Sequence, residues 1–209
     1  MIRLMIADDH AIMREGLKQL FALAGDLQVV AEAENGVLLL DRLRLGGIDL
    51  LLLDMSMPGI SGDDLVARIR SHYPQLPILV LSMHNEVQIA QRALKSGASG
   101  YLTKDRDPET LLAAIRRVAA GGRYIDAALA EQMAFAATGL GPSSQHSALT
   151  DRELQVLRLL ARGMSVSRIA TELVISHKTV STHKARLMEK MGFISTADIV
   201  RYAMAQQLL

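Results

Sequence analysis

Short apolar runs alternate along the first part of the chain with stretches in which apolar residues recur every third or fourth position. The runs are Ile2 to Ala7, Val29 to Ala31, Leu50 to Leu53, Ile78 to Leu81 and Tyr101-Leu102. Runs this short with so few polar positions predict five strands buried on both faces. Between them, segments such as Ala11 to Leu23 and Leu65 to His72 carry the helical period. The alternation predicts a βα repeat and therefore a parallel sheet; right-handed crossovers make it doubly wound, with its ligand site at the carboxyl ends of the strands. Boundary residues agree. Ser61 precedes Asp64 in capping-box spacing, and Asp107 stands before Pro108 as a cap before a proline at the first helical position.

The pattern changes after Gly121-Gly122. A helix-like stretch from Ala127 to Ala137 is followed by Gly139 to Ser147, rich in Gly, Pro and Ser and without apolar periodicity, which predicts a linker. The last ~60 residues are enough for a small domain. They predict four helices, opened by Thr150 with Glu153 behind it, Ser165, Ser176 and Ser195. The expected organisation is an α/β domain over 1–121, a linker helix and linker over 122–148, and a small all-α domain over 149–209.

Half the residues are apolar and 22% are charged, a balance that supports packed cores. No apolar run approaches the ~20 residues that span a bilayer. The opening Met1-Ile2-Arg3-Leu4 leads to Asp8 and Asp9 rather than to the apolar core of a signal peptide, so a cytoplasmic chain without membrane partners is expected. With no cysteine there is no disulfide, zinc thiolate or thiol nucleophile, and any metal is expected to be oxygen-bound. The net charge of +1 hides an asymmetry, because residues 1–138 carry 14 Lys and Arg against 17 Asp and Glu, while 139–209 carry 9 against 5. An acidic part joined to a basic one makes nucleic acid a candidate partner for the second.

The predicted topology gathers chemistry on one sheet edge. Asp8 and Asp9 end the first strand, Asp54 the third and Ser82 the fourth, and Lys104 follows the fifth. Three converging carboxylates repel one another unless a hard cation or a lysine offsets them, and Mg²⁺ suits an oxygen site that a phosphate can complete. A lone Asp after a strand is usually a turn or capping residue, which is the reading for Asp49 and Asp63. His10 and His84 flank the same edge; a histidine beside a loop is ordinarily only solvated, and neither is assigned a role.

These residues carry a resemblance. Asp8-Asp9-His10, Asp54-Met55-Ser56-Met57-Pro58-Gly59, Leu81-Ser82 and Tyr101-Leu102-Thr103-Lys104 resemble the receiver domain of bacterial response regulators, over residues 1 to about 121. The resemblance implies a flavodoxin-like five-stranded sheet in the order 2-1-3-4-5. It also implies that Asp54 accepts a phosphoryl group from a sensor histidine kinase. Mg²⁺ would be held by Asp9, Asp54, the Ser56 carbonyl and, through water, Asp8. Lys104 would pair with phosphoryl oxygens, Ser82 would donate to one, and Tyr101 would turn inward in response. Taken without the family, Tyr101 reads as a tyrosine half-buried at a sheet edge. Ser in place of Thr at 82, and Asp105 where many receivers have proline, depart from the pattern without removing a functional group.

Leu149-Thr150-Asp151-Arg152-Glu153, Ala161-Arg162-Gly163 and Ile175-Ser176-His177-Lys178-Thr179-Val180-Ser181-Thr182-His183 resemble the LuxR-type helix-turn-helix. With the receiver motifs this points to the NarL/FixJ branch of response regulators. A helix from about His177 to Met191 would pack through Val180, Leu187 and Met191 and turn Lys178, Ser181, Thr182, Ala185 and Glu189 outward. Lys178, Lys184, Arg186 and Lys190 against Glu189 suit the phosphates of double-stranded DNA. The resemblance implies base contacts from Ser181, Thr182 and Ala185, near Lys178. It also implies a homodimer on phosphorylation, contacting through Ile199, Tyr202, Ala203 and Gln206, and RNA polymerase as a further candidate partner. Two rivals are weaker. A phosphohydrolase of the haloacid dehalogenase type needs an acid two residues after its nucleophile, where this chain has Ser56; a flavin module would need a phosphate loop where Asp8-Asp9 would repel the phosphate.

Overall fold

The apolar runs form parallel strands: β1 (Ile2–Ala7), β2 (Leu27–Ala33), β3 (Leu50–Asp54), β4 (Ile78–Ser82) and β5 (Gly100–Thr103). β3 and β4 are buried at every position, as strands covered by helices on both faces must be. This computed structural model describes the chain apart from residues 59, 61, 84–86, 138–148, 207 and 209. The chain divides into two units, Met1–Gly141 and Pro142–Leu209.

The sheet order is β2-β1-β3-β4-β5-β6. One strand more than the five expected is present, β6 (Tyr124–Ile125), which pairs Tyr124 with Gly100 and Ile125 with Tyr101. Two residues are too few to show a period. Glycine at position 100 admits this neighbour, since a Cβ there would lie 2.9 Å from both the Tyr124 carbonyl oxygen and Leu79. Covered by β6, Tyr101 is wholly buried rather than half-buried at an edge.

On one face, Leu4, Ile6, Leu50 and Leu52 pack with Leu17 and Phe21 of α1 (Ala11–Ala24) and Ala114, Ile115 and Val118 of α5 (Pro108–Ala119). The alternate strand residues Met5, Leu51, Leu53 and Val80 are equally buried. So are the inner residues of α2 (Gly36–Leu43), α3 (Gly62–His72) and α4 (Val87–Lys95). Asp107 caps α5 by accepting from the Thr110 amide at 2.8 Å. The Ser61 cap and the Gly139 to Ser147 linker fall outside the described residues, whereas the helix α6 (Ala127–Ala137) has the bounds its sequence suggests.

The second unit holds α7 (Asp151–Ala161), α8 (Val166–Glu172), α9 (His177–Met191) and α10 (Thr196–Ala205) around Leu157, Ile169, Val180, Leu187, Ile199 and Ala203. Its helix starts follow the capping residues. Thr150 and Glu153 form a reciprocal capping box, while Ser165 and Ser176 accept from the Arg168 and Thr179 amides. Ser195 donates its amide and hydroxyl to Asp198, at 2.7 and 2.9 Å.

Candidate functional sites

Parallel register brings the acidic residues together. Ala7 is level with Leu53, Asp54 with Leu81, and Ser82 with Thr103, so the residues ending β1, β3 and β4 and the one after β5 share an edge. Lys104 bridges two of them, with Nζ 2.7 Å from Asp8 Oδ2 and 3.2 Å from Asp54 Oδ2. The Lys104 amide donates to the Ser82 carbonyl at 2.8 Å, tying the two strand ends. Asp54 Oδ1 accepts from the Ser56 amide at 3.3 Å. Asp8, Asp54, Ser82 and Lys104 are buried, whereas the Asp9 side chain is one-third exposed.

Burial pushes the Asp54 carboxyl above its ordinary value; Lys104 opposes this, Asp8 adds to it, and the Ser56 amide draws it back. One lysine thus faces three carboxylates. Asp54 Oδ2 is buried without a hydrogen-bond partner, although Lys104 is within ion-pair distance. A hard cation fits this donor set, because it satisfies an orphaned carboxylate oxygen and offsets the charge that one lysine leaves over. His10 is not simply solvated, since its ring touches both Asp8 and Asp9. The signal was its place directly after two acids. His84 lies outside the described residues.

In the second unit, Lys178, Ser181, Thr182, Ala185, Arg186 and Glu189 of α9 are exposed, while Val180 and Leu187 are buried and Met191 is half-buried. Ser181 Oγ donates to the His177 carbonyl and Thr182 Oγ1 to the Lys178 carbonyl, both at 3.0 Å. Their hydrogens are used within the helix, so each hydroxyl faces outward as an acceptor. Lys184 is half-buried and reaches Thr196 Oγ1 at 3.3 Å. Exposed Arg168 on α8 adds a cation that the sequence reading did not single out.

Lys190 is differently placed from the other cations. Its amine lies 2.7 Å from Glu153 Oε2, the oxygen that also accepts from the Thr150 amide. Burial raises the Glu153 carboxyl, but Lys190 and the Thr150 bonds outweigh it and leave the carboxyl below its ordinary value. Lys190 therefore braces α9 against the start of α7. The expected dimer stripe is also divided: Ile199 and Ala203 are wholly buried in the domain's own core, and Tyr202 is half-buried with its ring 5.4 Å from that of Phe193. Only Gln206 of the four is exposed. A three-four spacing does not distinguish a face packed on its own domain from one awaiting a second chain.

Residues 4–116 match the response regulator receiver domain family, and residues 147–203 match the luxR family of bacterial regulatory proteins. The chain belongs to the response regulators that join a receiver to a LuxR-type DNA-binding domain. Within them it is a transcription regulator of the NarL/FixJ type. It is 39% identical over 201 residues to the transcriptional regulatory protein UhpA of Escherichia coli, covering 96% of this chain and 97% of UhpA. It is 35% identical over 215 residues to the oxygen regulatory protein NreC of Staphylococcus aureus, covering 100% and 99%. RcsB from Salmonella enterica serovar Typhimurium, solved bound to promoter rprA in the presence of the phosphomimetic BeF3⁻, matches with a TM-score of 0.64 at 30% identity, covering 96% and 97%. Among the described residues no helix is long and apolar enough to cross a membrane.

Proposed function

We propose that Asp54 accepts a phosphoryl group from a sensor histidine kinase, and that this aspartyl phosphate controls dimerisation and exposure of the DNA-recognition helix α9. The observation that carries the reading is the meeting of Asp8, Asp9, Asp54 and Lys104 at one strand edge, with Asp54 Oδ2 buried and lacking a hydrogen bond. Asp9, Asp54, the Ser56 carbonyl and, through water, Asp8 would hold Mg²⁺, which would supply charge neutralisation for the transfer. The Asp54 carboxylate forms the new O–P bond as the bond from phosphorus to the kinase histidine breaks, its electron pair leaving with the imidazole. Lys104, already poised between Asp8 and Asp54, shifts to a phosphoryl oxygen. Ser82 donates to another, and Tyr101 packs behind it as the switch. Ser56 offers no general acid for turnover, so the chain transfers phosphate to itself rather than hydrolysing external esters.

The receiver extends past the expected boundary at 121 to take in β6, and the DNA-binding domain comprises 149–209, the two joined through 126–148, in the cytoplasm. Lys178, Ser181, Thr182 and Ala185 face the base edges, and Lys184, Arg186 and Arg168 face phosphates; Lys190 is exposed but engaged by its pair with Glu153. The DNA-bound RcsB structure supports promoter DNA and a homodimer as partners, with RNA polymerase a further one. The dimer surface on α10 falls to Gln206 and exposed Met204 rather than to Ile199 and Ala203. Incubation with acetyl phosphate and Mg²⁺ followed by mass spectrometry should place one phosphoryl group on Asp54, lost in Asp54→Asn. Undiminished modification of that variant would overturn the assignment.

A further inference from the structure

We propose that His10 is a metal ligand, its Nδ1 joining Asp8, Asp9 and Asp54 in a mixed nitrogen and oxygen site that favours Mn²⁺ over Mg²⁺. This rests on reading the acidic cluster as a cation site and changes what that site selects. His10 Nδ1 lies 3.1 Å from Asp8 Oδ1 and 3.0 Å from Asp9 Oδ1. One ligand atom from each of Asp8, Asp9, His10 and Asp54 lies within 4.8 Å of the others. An octahedral ion with bonds of about 2.1 Å spaces adjacent ligands by about 3.0 Å, the separation at which His10 Nδ1 stands from the Asp8 and Asp9 oxygens.

Two further observations point the ring at an ion. Asp54 Oδ2, on a residue only 2% exposed, makes no hydrogen bond and has the Lys104 amine at 3.2 Å, a lysine it shares with Asp8, so a shared cation would complete its partners. His10 stands at the N-cap of α1, yet its side chain makes no capping bond; its backbone amide instead donates to Asp8 Oδ1 at 2.8 Å. The backbone is thus fixed over the acids while the imidazole is free of any duty to the helix. The plainer account is that Nδ1–H donates to the two carboxylates. The accounts part when a cation binds, because a donor ring stays outside the coordination sphere, whereas a ligand ring carries its proton on Nε2 and bonds through Nδ1.

An imidazole matters for selection. Mg²⁺ keeps to oxygen, whereas first-row transition ions accept nitrogen with affinities that rise from Mn²⁺ towards Cu²⁺. The expectation of a purely oxygen-bound metal left His10 without a role, and a nitrogen ligand at this position would depart from it.

The test is pulsed EPR of Mn²⁺ bound to the full chain, with Mg²⁺ competition measured alongside. Nitrogen hyperfine coupling should appear in the wild type and vanish in His10→Ala. The preference for Mn²⁺ over Mg²⁺ should fall at least about tenfold, the lower bound for losing even an outer partner of a metal site. Isotopic labelling of histidine nitrogen should alter the coupling without any substitution, which keeps the test independent of the variant's folding. Bound Mn²⁺ without nitrogen coupling, or coupling that survives in His10→Ala, overturns the proposal. If Mn²⁺ fails to bind, or binds Asp54→Asn as it does the wild type, the acidic-site reading falls with it; Asp54-dependent binding without nitrogen removes His10 alone.

Discussion

The acidic edge of the receiver and the outer face of α9 are both polar, but they are built in opposite ways. Asp8, Asp54, Ser82 and Lys104 are withdrawn from water and held by one another and by strand ends. Lys178, Ser181, Thr182, Ala185 and Arg186 are exposed, with at most a bond to their own helix. Taking charges out of water is costly, so a buried reactive site has to be over-determined by its surroundings. A surface that reads a partner must leave its hydrogen-bonding capacity unspent until the partner arrives. Substitutions in the first region should therefore move stability as well as chemistry, and those in the second should move recognition alone.

Lys104→Ala gives the largest expected effect. Stranding Asp8 and Asp54 without their cation should cost about 3–5 kcal/mol in urea unfolding without added metal. A loss below that of an ordinary surface lysine would erase the contrast. Lys190→Met tests whether a cation on α9 belongs with the buried class, and should cost about 2 kcal/mol because Glu153 loses its charged partner. The pH dependence has a definite sign. The Glu153 carboxyl lies below its ordinary 4.5 in the folded state, so its contribution is full above 4.5 and is lost as pH falls through the folded value. Acid unfolding of Lys190→Met should show a weaker fall across that window. Thr182→Val is the smallest. It should leave stability nearly unchanged while removing an outward acceptor, shifting discrimination at one base pair by about 1 kcal/mol in competition binding. Equal affinity for all duplexes before and after would remove Thr182 from recognition.

What could be read from the amino acids depended on the range of the interaction. Apolar runs exposed β1 to β5, and parallel topology alone put Asp8, Asp9, Asp54, Ser82 and Lys104 on a common edge. β6 escaped because two residues have no period, and Tyr101 was consequently assigned too much exposure. Lys190 is exposed like the outward cations it was counted with, but charge along a helix does not reveal its pair with a capping glutamate thirty-seven positions earlier. Ile199 and Ala203 were placed at a dimer contact because their spacing fits a domain's own core equally well. His10 lay in plain view beside two acids, but only a distance could separate contact from solvation.

The division within α9 bears on how such regulators diverge after gene duplication. Positions 178, 181, 182, 185 and 186 are exposed and, among the described residues, show no bond beyond their own helix, so on the proposed reading a duplicate could exchange them one at a time at little cost to the fold. Lys190 and Leu187 lie on the same helix but are tied to its neighbours. On the proposed reading of the DNA contacts, the base-reading positions open to such change lie on one side of a single helix.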